Sequence, residues 1–158
     1  MFGNTVFIGW KRSSTINTKQ IGDISESMVT TELLKHGYSV LKPIGDRLPY
    51  DLAIDVDGQL IRFQIRTAWY NEPNDSYMGN VRCARTNRKN YSFKLHNYEK
   101  MDFFIYVIQS LEKFYVVPVS VMRLFKSGVY LIPHRPRRKT PLSLEAYCGN
   151  WELIKNLL

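Results

Sequence analysis

The segment DLAIDVDGQLIRFQIRTAW, residues 51–69, decides how this chain folds. Asp57-Gly58 sits between two alternating apolar runs, and Asp-Gly is among the strongest short hairpin signals because a type I′ turn needs positive φ at both central positions. A two-residue loop sets Val56 opposite Gln59, and stepping outward puts Asp51 opposite Gln64. Directly opposed residues share a face, with Cβ atoms roughly 5 Å apart. Within FQIRTAW, Phe63, Ile65 and Thr67 point to one side and Gln64 and Arg66 to the other. The hairpin therefore gathers a carboxylate, an amide and a guanidinium on one face. A half-wet strand would also carry polar residues there, so the neighbouring elements decide between a solvated face and a site.

From about residue 18 to Lys35 the pattern is helical, with Ile21, Ile24, Met28 and Leu33 as a rough apolar stripe and Gly37 placed to stop it. Glu26 is followed on the same side by Val29, Thr30 and Leu33, whereas Glu32 and Lys35 belong to the solvated face. An inward-leaning glutamate requires a partner. Glu26 and Asp51 with the Gln64 amide oxygen make a set of hard oxygen ligands suited to Mg²⁺, which takes one or two carboxylates plus water and a phosphate. Arg66 on the same face would stabilise charge that builds on that phosphate. Each residue alone is more simply read as surface decoration, since charged side chains usually lie on solvated faces. Their convergence in one register favours a site.

The chain has 158 residues, 44% of them hydrophobic and 13% aromatic, enough for one domain with its own core. Cys83 and Cys148 lie far apart in no metal-ligand spacing, so no disulfide framework or zinc site is expected, in keeping with a reducing, cytoplasmic setting. The first residues lack a leader pattern, and no apolar run approaches the about 18 residues that a membrane span needs. Twenty-two Lys and Arg against 14 Asp and Glu leave a net charge of +8, which makes a polyanion the leading partner class. Nine of these cations fall in RCARTNRKNYSFK (82–94) and HRPRRK (134–139).

Beyond the hairpin, YSVLKPI (38–44) reads as a short strand, VRCART and NYSFKL as two more, FFIYVIQ (103–109) as a buried central strand and KFYVVPVSVM as another. NEPNDSYMGN reads as irregular, and SLEAYCGNWELIKNLL as one or two short helices. One helix, a mixed sheet of about four to six strands and terminal helices define an α/β (α+β) domain.

These residues in this order resemble the PD-(D/E)XK nuclease superfamily, and among its branches the group I intron homing endonucleases. The resemblance runs from about residue 18 to the C-terminus through ESMVTTELLKHGY around Glu26, PYDLAID with Asp51, FQIRTAW with Gln64 and Arg66, KMDFFIYVI, FYVVPV and NWELI. It implies a restriction-endonuclease-like core cutting double-stranded DNA with Mg²⁺, with Glu26, Asp51, Gln64 and Arg66 as catalytic residues and the first three at the metal. Gln64 stands where most of the superfamily has Asp or Glu, although the homing branch it resembles also uses Gln there. Arg66 stands in the place of the catalytic lysine. Arginine is always protonated and forked, so it cannot copy a lysine that orients or helps deprotonate water. A slow natural variant, an inactivating substitution, and a lysine supplied by Lys42 or Lys94 all remain open.

The single domain would comprise an N-terminal extension (1–17), the core, and a DNA-contacting hairpin insertion at about 70–94. An antiparallel ribbon fits the major groove, where Arg pairs with guanine and Asn with adenine. Candidate DNA contacts are Arg82, Arg85, Asn87, Arg88, Lys89 and Lys94 on the ribbon, with Asn87, Arg88 and Lys89 at its tip. Arg135, Arg137, Arg138 and Lys139 are assigned to phosphates. A small domain recognising a long pseudo-palindromic site implies a homo-oligomer, a dimer or dimer of dimers. The apolar tail Trp151, Leu153, Ile154, Leu157 and Leu158 is a candidate interface or part of the monomer core. Rival readings are a catalytically inactive DNA-binding protein on the same fold, a junction-resolving or restriction-type nuclease, and a basic RNA-binding module. The last is disfavoured because no strand carries an RNP-like aromatic signature.

Overall fold

The computed structural model describes residues 17–45, 47–87, 90–95, 98–133 and 142–157, with the backbone alone for 83–87 and 90–95. Helix α1 (Thr18–Lys35) starts at Asn17, whose side chain accepts the Lys19 N–H at 3.1 Å. It ends in a Schellman pattern: Tyr38 N–H donates to the Leu33 carbonyl at 3.1 Å and Gly37 N–H to the Leu34 carbonyl at 2.9 Å. Gly37 has φ +82°, the left-handed conformation that this stop requires.

Strands β1 (Ser39–Leu41), β2 (Leu52–Val56), β3 (Gln59–Thr67), β8 (Phe103–Ile108) and β9 (Lys113–Pro118) form a five-stranded mixed sheet in the order β1-β2-β3-β8-β9. The β2–β3 hairpin has the expected register, Val56 with Gln59 and Leu52 with Phe63. Asp57 and Gly58 both take positive φ, and Asp55 Oδ1 accepts the Gly58 N–H at 2.8 Å. Strand β8 runs parallel to β3 and pairs Gln64 with Phe104 and Arg66 with Tyr106. All six residues of β8 are buried, as its unbroken apolar run demands.

Helix α1 covers one face of this sheet, packing Val29 and Leu33 among Ile54, Phe63, Ile65 and Ile105. The buried stripe is Ser25, Val29 and Leu33, turned one residue from the expected one, so that Ile24 is 38% exposed. A serine is tolerated inside because it has polar partners. On the other face lie Phe104, Tyr106 and Tyr115, covered by a helical turn, α2 (Val119–Met122), and by a second, three-stranded sheet. That sheet is β10-β5-β4, from β10 (Gly128–Ile132), β5 (Ser76–Asn80) and β4 (Trp69–Asn71). Most of NEPNDSYMGN is therefore ordered structure. Its weak period arises because one short edge of it is exposed and its core contacts come from distant residues. VSVM likewise leaves the strand after Pro118 and becomes α2.

A separate two-stranded hairpin joins β6 (Arg82–Asn87) to β7 (Asn90–Leu95), with Asn87 paired to Asn90. The ribbon is thus confined to 82–95, and residues 69–80 belong to the second sheet. In the tail, Trp151 and Ile154 at α3 (Glu152–Lys155) are buried with the α1 layer and complete the monomer core, whereas Leu157 is 47% exposed. Leu158 lies outside the described residues.

Gly79 sets the separation of the two sheets. A Cβ there would fall within the ring of Tyr106, which is wholly buried and donates its hydroxyl to the Asn80 carbonyl at 3.0 Å. Gly79→Ala should destabilise the fold by roughly 1–3 kcal/mol, read as a lower midpoint in urea unfolding with an unchanged slope.

Candidate active site

The hairpin register fixes the first pair. Asp51 directly precedes β2, its N–H donates to the Phe63 carbonyl at 2.9 Å, and its Oδ2 accepts the Ile65 N–H at 2.6 Å. The Gln64 amide also donates to Asp51 Oδ2. Gln64 is only 5% exposed, so the face opposite Phe63 is neither wet nor simply decorated. Burial chiefly raises the Asp51 pKa, and the nearby Glu26 carboxylate adds to this. The Ile65 N–H, the Arg66 guanidinium and the Gln64 amide act in the opposite direction. Asp51 is thus a half-buried acid, largely withdrawn from water and within electrostatic reach of both Glu26 and Arg66.

Arg66 extends over the same face and donates from Nη1 to the Ile65 carbonyl at 3.0 Å. Its charge is also felt at Tyr106, whose phenol burial pushes strongly up. Glu26, half-buried in the third turn of α1, meets Lys42 from the segment that follows β1, Nζ to Oε2 2.7 Å. That hydrogen bond raises the Lys42 pKa, with smaller contributions in the same sense from Asp23 and Asp51. Glu26, Asp51, Gln64 and Arg66 are therefore brought together, with Lys42 as a fifth member.

The placement of Glu26 depends on a brace absent from the sequence reading. Ser25 Oγ and Thr67 Oγ1 lie 2.7 Å apart, joining α1 to the end of β3. Gln109 Nε2 donates to Ser25 Oγ at 2.9 Å and to the Ile21 carbonyl at 2.7 Å. A serine on the Val29–Leu33 stripe was the available signal, since a buried hydroxyl demands a partner. Which partner it finds is a long-range matter.

With a half-buried acid opposite a buried amide, a cation two residues on and a helix acid facing them, the order of parts is that of one nuclease core. The family model for PD-(D/E)XK endonuclease matches residues 16–154. The chain belongs to the PD-(D/E)XK endonuclease family. The solved structure of a bacterial homing endonuclease, I-Ssp6803I, is 36% identical and superposes with a TM-score of 0.79 over 90% of this chain and 95% of that one. No curated protein matches. The chain is accordingly a DNA endonuclease of the PD-(D/E)XK family, a family that generally uses divalent metal ions.

The donors present fit such an ion. Among the described residues no cluster of three or more His, Cys, Asp and Glu exists, so a zinc-like centre is not built. Two carboxylates and one amide instead make the sparse oxygen set that Mg²⁺ accepts while keeping water and phosphate oxygens. No helix among the described residues is long and apolar enough to cross a membrane.

Of the expected DNA contacts, Arg82 donates from Nε to the Lys126 carbonyl at 2.6 Å, pinning the root of the ribbon. Arg85, Asn87 and Lys94 are described only in backbone, with Arg85 paired to Ser92 and Lys94 to Cys83. Arg88, Lys89, Arg135, Arg137, Arg138 and Lys139 lie outside the described residues.

Asp51 carries a pH signature. Burial favours its neutral form, so the folded chain keeps this proton to a higher pH than the unfolded chain, whose carboxyl ionises near 3.8. Stability from the neutral form is full below that value and is lost as pH rises through the raised folded one. In metal-free buffer Asp51→Asn should melt above the parent at neutral pH, and the gain should vanish below about pH 4.

Proposed function

We propose that the protein is a sequence-specific, homing-type endonuclease that hydrolyses double-stranded DNA with Mg²⁺. The half-buried Asp51 bonded to the buried Gln64, with Glu26 facing them from α1, carries this reading. Asp51, Glu26 and the Gln64 amide oxygen would hold the ion, which supplies a polarised phosphoryl oxygen and a water made nucleophilic at neutral pH. Gln64 is held rigid by burial, and Asp51 is aimed by the Ile65 N–H. Arg66 is a fixed positive charge beside the carboxylates, able to neutralise but not to exchange a proton at neutral pH. Its substitution for lysine is expected to slow the chemistry.

The β6–β7 ribbon, rich in Arg, Lys and Asn, is proposed to read base edges, with HRPRRK on phosphates. Cutting both strands requires two active sites, hence at least a dimer, and a pseudo-palindromic target follows from its symmetry. The group I intron setting, the nucleoid location, a single domain with its extension at 1–17 and Mg²⁺ as native ion belong to the same proposal.

Incubation of a mixed-sequence DNA library should give discrete double-strand breaks with Mg²⁺, none with EDTA, and a loss of at least about 100-fold in Asp51→Asn. Mg²⁺ should also raise the melting temperature of the parent and not that of Asp51→Asn. Retention of one DNA sequence without cleavage, and no thermal shift, would instead favour the inactive DNA-binding reading.

A further inference from the structure

The parts above contain two cations with different freedoms. The Arg66 guanidinium lies back along its own strand on the Ile65 carbonyl and beside the buried Tyr106. It is built into the wall. Lys42 comes from the other side, just beyond β1, on the segment that leads to Asp51. Its side chain is 62% exposed, while its ammonium holds Glu26 at 2.7 Å and lies within electrostatic range of Asp51. An ammonium on a four-carbon stem has three rotatable donors, unlike a planar fork.

We propose that Lys42 does the work of the lysine that Arg66 displaced, as the cation that donates to the scissile phosphate and orients the attacking water. This rests on the nuclease reading above. In the free protein Lys42 is the counter-ion of Glu26. Once Glu26 turns its oxygens to a divalent cation, the ammonium loses its partner beside the site and is free to swing to a phosphate oxygen. The stem permits this movement because it is mostly in solvent, and β1 before it is the outermost strand of the main sheet among the described residues. Arg66 meanwhile contributes a fixed positive charge that favours the ionised form of Asp51.

The test measures single-turnover cleavage of the mixed-sequence library in Mg²⁺ by the parent, Lys42→Met, and Lys42→Met combined with Arg66→Lys. Thermal melts confirm folding, and Mn²⁺ bound to the protein alone is followed by electron paramagnetic resonance. Lys42→Met should lose at least about 100-fold in rate while binding Mn²⁺ as tightly as the parent or more tightly, since a competitor for Glu26 has gone. Adding Arg66→Lys should restore most of that loss by returning a lysine to β3. A Lys42→Met rate within threefold of the parent overturns the proposal and leaves the nuclease reading intact. So does a folded Lys42→Met whose loss Arg66→Lys does not relieve, because Lys42 then serves Glu26 and not the phosphate. If the parent shows no Mg²⁺-dependent cleavage above its EDTA background, both readings fall together.

Discussion

A carboxylate drawn half out of water at the mouth of a hairpin is the constraint on which the rest of this molecule depends. Asp51 leaves water because the Asp57-Gly58 turn admits one register, and that register puts its Oδ2 on the Ile65 N–H and the Gln64 amide. An isolated ionised carboxyl in such a place is strongly disfavoured. Here burial, reinforced by Glu26 and opposed by Arg66, raises the pKa of the Asp51 carboxyl above its ordinary value. Such a site has a use for a divalent cation. The disfavoured charge is the same feature that makes it a candidate for metal-assisted chemistry.

The scaffold keeps this charge in place by covering both faces of the main sheet. Strand β8, parallel to β3 and buried throughout, sets Phe104 and Tyr106 beside Gln64 and Arg66. The second sheet presses on Tyr106 through Gly79, which has no side chain to hold it away. On the opposite face the Ser25–Thr67–Gln109 hydrogen bonds fix the rotation of α1, and with it the direction in which Glu26 points. Glu26 and Asp51 come from opposite layers, and a one-residue turn of the helix would separate them.

Electrostatics then divides labour between the two cations. Arg66 sits in the sheet, where geometry is rigid and a permanent charge is useful. Lys42 reaches the site on an exposed stem, where an ion pair with Glu26 contributes little to stability but leaves a donor beside the carboxylates. The net charge of +8 adds a long-range attraction for the phosphate backbone that neither residue provides alone.

Local chemistry determined the hairpin, its register and the pairing of Asp51 with Gln64, because positive φ at Asp57-Gly58 admits few alternatives and side chains alternate along a strand. The extent of α1 and its stop at Gly37 were legible for the same reason: caps act within a few residues. The tail was ambiguous, and only packing showed that Trp151 and Ile154 finish the core. Residues 69–80 carried no clear period, since the second sheet is held by β10, some fifty residues away in the chain, and by contact with Tyr106. The rotation of α1, the Ser25 brace and the Lys42–Glu26 pair were decided by tertiary structure alone. Each joins elements whose relative placement is set by the whole core, and no spacing along the chain encodes it.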